Sequence, residues 1–523
     1  LVQIHSQVIR RGYEQDHVLI ACFISKLLPE NLSYVTEVFD AVIDPNIYLW
    51  NIILKAHCGR SSLGRCFALF GEMRFELRGI PDKYTFPSLV KACGRAGALR
   101  EGRMIHGASF RCGAEADVFV GSSLIDFYGK CGEIESARKV FDEMPLRNQV
   151  SWTSMMEGYV NSGDMDSALN LFDEMPERNL VTWNAMMKAF VKLGDLKNAL
   201  RMFDEMPMRD EISYTTLLDG YAKAGDMAAA RTFFDRLPRK DLISWSALIS
   251  GYAQNAMPYG AVKAFVEMQQ ITETKPDEFI MVSLMSACSQ LGSLPLAKWI
   301  ETYLEDGRFD LKSAHVAAAL VDMNAKCGDL RRAAELFEGT ARRDLISYCS
   351  MMQGLCIHGR GSEAVALFDR MVDEGIEPDG VAFTVALTAC AHAELVEDCL
   401  RLFDLMIREH SATPSPDHYA CLVNVLGKSG KLTAAAYEFV ESTPVESNVG
   451  AWGSLLGACG LHGDVELGER VARKLFEIEP RNAENYVLLS NIYAEAERWM
   501  SVYEVRDKMG EKGVRKVSGF SYV

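Results

Sequence analysis

QVSWTSMMEGYVNSGDMDSALNLFDEMPERN (149–179), LVTWNAMMKAFVKLGDLKNALRMFDEMPMRD (180–210) and EISYTTLLDGYAKAGDMAAARTFFDRLPRKD (211–241) follow one another without a gap, each 31 residues long. Gly132, Gly163, Gly194 and Gly225 stand 31 apart, as do Phe141, Phe172, Phe203 and Phe234, and Pro145, Pro176, Pro207 and Pro238. A fixed period of this size dictates the architecture before any other feature does. Within one unit Trp152, Met155, Met156 and Tyr159 recur at i, i+3, i+4 and i+7, and so do Met165, Ala168, Leu169 and Phe172. Each set is the apolar stripe of one helix. Between them Asn161-Ser162-Gly163-Asp164 supplies a glycine stop and an aspartate cap, and Met175-Pro176 ends the second helix. The unit is a helical hairpin. Two helices cannot bury their apolar faces alone, so neighbours must stack. The expected fold class is all-α, a right-handed superhelical solenoid of helix-turn-helix repeats.

In the same phase, units run 17–46, 47–82, 83–117, four of 31 residues over 118–241, then 242–277, 278–313, 314–344, 345–379, 380–415 and 416–448. Residues 17–448 thus form an array of about thirteen repeats, preceded by a partial repeat at 1–16. Units at 449–482 and 483–523 keep the hairpin pattern with other residues and read as a C-terminal extension of two degenerate motifs.

The composition, 49% hydrophobic and 24% charged, is that of an ordinary folded protein. No apolar run approaches the roughly 18 to 20 residues that span a bilayer, so no membrane association is expected. The net charge of -16 works against nonspecific binding of polyanions, which is driven by Lys and Arg. Any nucleic-acid site must therefore be locally basic. No two of the 14 cysteines are spaced C-x-x-C, so buried, reduced thiols are expected and no metal or cofactor. No phosphate-cradling loop or nucleophile elbow appears, and no catalytic residues are assigned. The sequence starts at Leu1 within a repeat, and any targeting peptide is expected to lie outside it.

Periods of 31, 35 and 36, with W-x-x-M/L-I/M-x-G-Y-x-x-x-G and V/L-F-D-E-M-P, fit poorly to tetratricopeptide repeats, whose period is a strict 34. They resemble the pentatricopeptide repeat (PPR) family, specifically the plant PLS subclass that mixes short, standard and long repeats. The resemblance covers essentially the whole chain. It implies single-stranded RNA as partner, read at one base per repeat. AWGSLLGACGLHGDVELGERVARKLFEIEP (451–480) and NYVLLSNIYAEAERWMSVYEVRDKMGEKGVRKVSGFSYV (485–523) resemble that subclass's E-type extension, which is associated with C-to-U editing of organellar RNA. Many such relatives continue into a zinc cytidine deaminase carrying H-x-E and P-C-x-x-C. Here the only H-x-E is His392-Ala393-Glu394, inside a repeat helix, which reads as accidental. A deaminase beyond residue 523 stays open.

The resemblance places two base-reading residues in each repeat, the fifth and the last. Carried over, they are Asn51 with Asp82, Ser122 with Asn148, Thr153 with Asn179, Asn184 with Asp210, Thr215 with Asp241, and Ser246 with Asp277. An ionised Asp only accepts hydrogen bonds and so answers the N3-H of uracil or N1-H of guanine, whereas Asn can donate to adenine or cytosine. With the family's preference for purine at Thr or Ser and pyrimidine at Asn, the pairs imply U, A, A, U, G and G. Pro87 with Asp117, Val282 with Ser313, and Thr384 with Ser415 depart from the pattern and receive no base. Ala318, Cys349 and Ala420 lack a strong hydrogen-bonding group beside Asp344, Asp379 and Asn448, which implies loose readout.

A cation recurs eight residues beyond the first reading position at Arg95, Lys130, Lys192, Lys223, Lys326 and Lys428. It can hold phosphates, or simply suit a helix C-terminus. By the resemblance, the second residue of each repeat wedges between bases: Phe119, Val150, Val181, Ile212, Ile243, Ile346 and Val381. Hydrophobic packing would also place apolar residues there. Trp152, Trp183, Tyr214 and Trp245 precede the reading position and read as core.

The resulting expectation is a sequence-specific RNA-binding protein, with no activity of its own, that selects organellar editing sites and recruits a deaminase or editing-accessory protein. The mitochondrion is the expected compartment, with the chloroplast as alternative. An RNA stabilisation, splicing or translation factor, or a protein-binding scaffold, are the competing readings.

Overall fold

A computed structural model of the chain describes residues 2–27, 31–60, 63–76, 81–272, 274–307, 309–311, 313–340, 343–408, 414–428, 437, 440–441 and 449–514. Those residues form thirty helices and no strand. The chain divides into two compact units, residues 1–240 and 241–523.

In the first unit the repeat is visible as capping chemistry. Asn148 accepts the Ser151 amide through its side chain, and Ser151 answers the Asn148 amide, so a reciprocal capping box starts the helix Gln149–Ser162. Gly163 ends it at φ 84°, a left-handed conformation that glycine adopts without penalty. Asp164 then caps Met165–Glu174 by accepting from the Ser167 amide. Asn179 caps Leu180–Lys192 by accepting the Thr182 amide, and Asp210 forms a second capping box with Ser213 before Glu211–Lys223.

Hairpins are joined by an edge-on aromatic contact. Phe141 meets Trp152 at 4.9 Å between ring centroids, Phe172 meets Trp183 at 4.8 Å, and Phe203 meets Tyr214 at 5.0 Å. These T-shaped pairs link the second helix of one repeat to the first helix of the next, adding to the area they bury. First helices approach closely where glycine stands at their tenth position. A Cβ on Gly220 would come within 2.9 Å of both Val191 and Leu196.

The second unit uses the same devices. Asp241, Asp277, Asp344 and Asp379 cap the helices Leu242–Gln254, Glu278–Leu291, Leu345–Ile357 and Gly380–Ala393. Phe337 meets Tyr348 at 5.0 Å. Its last four described helices, Val449–His462, Val465–Ile478, Ala483–Glu495 and Trp499–Glu511, enclose a core of Trp452, Leu455, Leu456, Val471 and Tyr486.

Candidate nucleic-acid interface

At about 100° per residue, positions 2, 5, 9 and 13 of a first helix share one face and position 4 lies opposite. The fourth-position aromatics turn inward, Trp183 and Trp245 buried and Trp152 and Tyr214 half-buried. The second-position residues turn outward. Phe119, Val150, Val181, Ile212, Ile243, Ile346 and Val381 are each more than half exposed, from 52% for Ile212 to 69% for Ile243. Packing within the chain therefore does not account for apolar residues there. Val18, Tyr48, Tyr84 and Phe279 hold the same position and are also exposed. Extending the repeat phase into the irregular repeats was the signal that would have found them. In the second unit Phe279, Val282, His315, Ala318, Asp322 and Ile346, from three successive first helices, line one hollow of about 340 Å³. Positions 2, 5 and 9 thus form a continuous surface there.

The last residue of a repeat is also the N-cap of the next first helix, and that double position fixes its orientation. Capping needs an acceptor aimed at backbone N-H groups. Oδ1 of Asp82 accepts from Tyr84 N, Thr85 N and Thr85 Oγ1, and from Asn51 Nδ2 at 2.9 Å. Oδ2 of Asp82 takes no hydrogen bond among the described residues. Asp241, Asp277 and Asp344 likewise cap through Oδ1 alone. Asn148 caps through Oδ1, as does Asn179, whose bond to Thr182 N is 3.0 Å. With oxygen committed, Asn is left with an amide donor and Asp with a second acceptor.

Three expected pairs are in direct contact. Besides Asn51 and Asp82, Ser122 Oγ donates to Asn148 Oδ1 at 3.3 Å and Asn184 Nδ2 donates to Asp210 Oδ1 at 3.1 Å. Asn184 is buried, and its Oδ1 has no partner among the described residues. Burial disfavours the charge of Asp210, but hydrogen bonds from Ser213 and Asn184 outweigh it and hold the carboxyl below its usual range. Thr153 and Thr215 instead turn their hydroxyls back to the carbonyls of Gln149 and Glu211, at 2.7 and 2.6 Å. Asn179 Nδ2 engages the Gln149 side chain. Ser246 is half-buried and makes no direct bond to Asp277 among the described residues.

The irregular positions differ as their residue types dictate. Pro87 sits within the helix Thr85–Ala96, and Asp117 caps Val118–Lys130. Ser313 precedes Ala314–Lys326 without a side-chain cap bond, and Thr384 Oγ1 contacts His418 Nε2 at 2.9 Å. Ala318 is buried and Cys349 half-buried. Asn448 lies outside the described residues, as does the side chain of Lys428.

The cationic row carries its own counter-charges. Lys130, Lys223 and Lys326 pair with Asp126, Asp219 and Asp322 one turn earlier, at 2.7, 2.6 and 2.8 Å. Arg95 donates to the Cys58 carbonyl, and Lys192 to Asn161 Oδ1 at 3.3 Å. Exposed pairs of this kind are worth only a few tenths of a kcal/mol, so phosphate can compete for the lysines. One stretch is basic without such a partner on its own helix. Lys188 and Lys192 flank a hollow of about 280 Å³ shared with Asn161 and with Glu157 of the preceding first helix, whose carboxylate interacts with Lys188.

No group of three His, Cys, Asp or Glu among the described residues is arranged to hold a metal, and no described helix is long and apolar enough to cross a membrane. Burial pushes the Cys390 thiol up to about 12 and that of Cys93 to about 11, away from reactive thiolate. His392 Nδ1 lies 3.3 Å from Cys356 Sγ, and Glu394 ends the helix at φ 57°.

Seven stretches, 48–76, 122–148, 150–180, 181–210, 212–242, 243–271 and 381–411, match the PPR repeat model, and 343–392 matches that of the PPR repeat family. A putative pentatricopeptide repeat-containing protein of Arabidopsis thaliana is 58% identical over 525 residues, covering 100% of this chain and 95% of that protein. The chain belongs to the pentatricopeptide repeat family. Residues 462–523 of this PPR protein match the E motif, starting inside the first of the two C-terminal units. A second Arabidopsis thaliana PPR protein, named as chloroplastic/mitochondrial, is 31% identical and covers 100% of this chain and 70% of its own. Among solved structures, PPR10 from maize, determined in complex with an 18-nt psaJ RNA element, aligns with a TM-score of 0.59 at 18% identity. That alignment spans 95% of this chain and 80% of PPR10, and establishes the shared solenoid fold.

Proposed function

We propose that this PPR protein binds one single-stranded RNA sequence and marks an organellar transcript for C-to-U editing by a deaminase supplied in trans. The observation that carries the binding reading is the orientation of the cap residues. Because capping consumes one oxygen, Asn and Asp at the same place present opposite hydrogen-bonding groups on a face lined with exposed apolar side chains. We assign 17–448 to the RNA-binding array, 1–16 to a partial repeat and 449–523 to the extension. The base-reading pairs are Asn51/Asp82, Ser122/Asn148, Thr153/Asn179, Asn184/Asp210, Thr215/Asp241 and Ser246/Asp277, reading U, A, A, U, G and G. Val150, Val181, Ile212 and Ile243 separate bases, and Lys192, with the paired lysines once displaced, meets phosphates.

The editing role rests on the E motif and on Trp499, Met500 and Tyr503, which form an exposed apolar cluster on the last described helix. Clusters of this composition suit a protein partner. The compartment assigned is the mitochondrion, with the chloroplast as alternative, in keeping with the naming of relatives.

The test is the double substitution Thr153→Asn with Asn179→Asp, measured in competition between RNAs that differ at one base. The assigned preference moves from A to U, by about 1 to 3 kcal/mol if DNA-type readout costs transfer. An RNA-binding protein with unchanged preference would remove both residues from the reading role.

A further inference from the structure

Four turns between repeats carry the same arginine contact. Arg147 donates from Nε to the Phe141 carbonyl at 2.8 Å and from Nη2 to that of Asp142 at 3.0 Å. Arg178 repeats this on Phe172 and Asp173 at 2.9 and 2.9 Å, and Arg209 on Phe203 and Asp204 at 2.8 and 2.9 Å. In the second unit Arg343 reaches Phe337 and Glu338 at 3.1 and 3.2 Å. Each guanidinium also covers the ring of the phenylalanine it bonds, 4.7 Å from the centroid for Arg147 and Arg178, 4.9 Å for Arg209 and 5.1 Å for Arg343.

The chemistry explains the residue type. The last carbonyls of a helix lack intrahelical donors and carry its negative end. A planar fork of N-H groups holds two of them with donors of fixed direction, whereas the three donors of an ammonium rotate about a single point. The clasped phenylalanine is the one that meets the aromatic residue of the next first helix edge-on. The residue directly after each arginine is Asn148, Asn179, Asp210 or Asp344, the half-buried cap of the next first helix.

We propose that this arginine is a positioning residue for base readout. The N-cap bond fixes Asn179 relative to the helix that follows it, Leu180–Lys192. Its partner Thr153 sits on the helix before, Gln149–Ser162, so the spacing of the pair is set through Met165–Glu174 and the turn. The arginine ties that turn to the end of Met165–Glu174 and acts on the base only through its neighbour. The inference rests on the reading role proposed above for Thr153 and Asn179. The same place holds Lys240 before Asp241, its ammonium 5.4 Å from the Phe234 centroid, so lysine is compatible with the repeat.

The experiment compares the whole chain with Arg178→Lys by two readouts. The first is competition binding with RNAs carrying A or U at the base of Thr153/Asn179, or U or A at that of Asn51/Asp82. The second is hydrogen exchange at the Thr182 amide, which Asn179 Oδ1 holds at 3.0 Å. The expected result is a local loss: preference at the first base falls by about three- to tenfold, the size of a weakened hydrogen bond, preference at the second is unchanged, and Thr182 exchanges faster. Equal weakening for every RNA with both preferences intact would overturn the proposal, as would wild-type exchange at Thr182. If the unsubstituted protein shows no preference at the first base, the reading role itself fails. The exchange readout then decides whether Arg178 positions Asn179.

Discussion

Asn184 Nδ2 donates to Asp210 Oδ1 at 3.1 Å across 26 residues of sequence, while the same oxygen accepts the Ser213 amide at 2.9 Å and starts the next helix. One atom thus ties the first helix of one repeat to the first helix of the next and caps the latter, leaving Oδ2 of Asp210, among the described residues, with only a 3.4 Å contact to Asn184. A single change at this carboxylate should therefore alter both stability and recognition.

Asp210→Asn keeps the capping oxygen but replaces the outward acceptor with a donor. Base preference at that repeat should move from U towards C, read by competition between RNAs differing at that base. Retention of U preference would show that Asp210 does not contact the base.

The pH dependence of stability should change with the same substitution. The folded-state pKa of Asp210 is lowered, so its contribution is complete above the unfolded value near 3.9 and is lost as pH falls through the folded value. Asp210→Asn should flatten the acid limb of thermal unfolding below about pH 4 relative to the unsubstituted chain. An identical acid limb would contradict the hydrogen-bond account.

Much of this was legible in the sequence for a physical reason. A 31-residue period fixes which residues share a face, so Trp183 could be read as core and Asp164 as a cap without coordinates. The second-position residues were ambiguous, because an apolar side chain serves burial or contact equally, and only the exposure of Val181 and Ile243 separates the two. The cation row by itself does not reveal the pairing of Lys223 with Asp219, which depends on the acids one turn earlier. The arginine clasp escaped because main-chain acceptors leave no mark in a sequence.

Val181→Ala should leave folding almost untouched, within about 0.5 kcal/mol, since the side chain is exposed. RNA affinity should fall, checked by titration beside a melting curve. Equal affinity for RNA would argue against a wedge at this position.

Asp219→Asn releases Lys223 from its 2.6 Å ion pair. RNA binding should tighten and its dependence on salt should steepen, by at most about one unit of slope. A salt slope identical to that of the unsubstituted protein would take Lys223 out of the phosphate row.

Gly354→Ala places a Cβ 2.5 Å from that of Ala325, with no flexible chain end to yield. Overpacking of this kind costs about 1 to 3 kcal/mol, so the unfolding midpoint should drop clearly. A neutral result would mean that the first helices are more loosely packed than they stand here.

The central claim is that the array reads a defined RNA, and unbiased selection from a random RNA pool at about 150 mM salt, where nonspecific charge binding is weakened, tests it most directly. The account predicts an enriched A-A-U-G-G in register with the repeats from 118 to 277. Retention of RNA without any enriched sequence, or of no RNA at all, would contradict it.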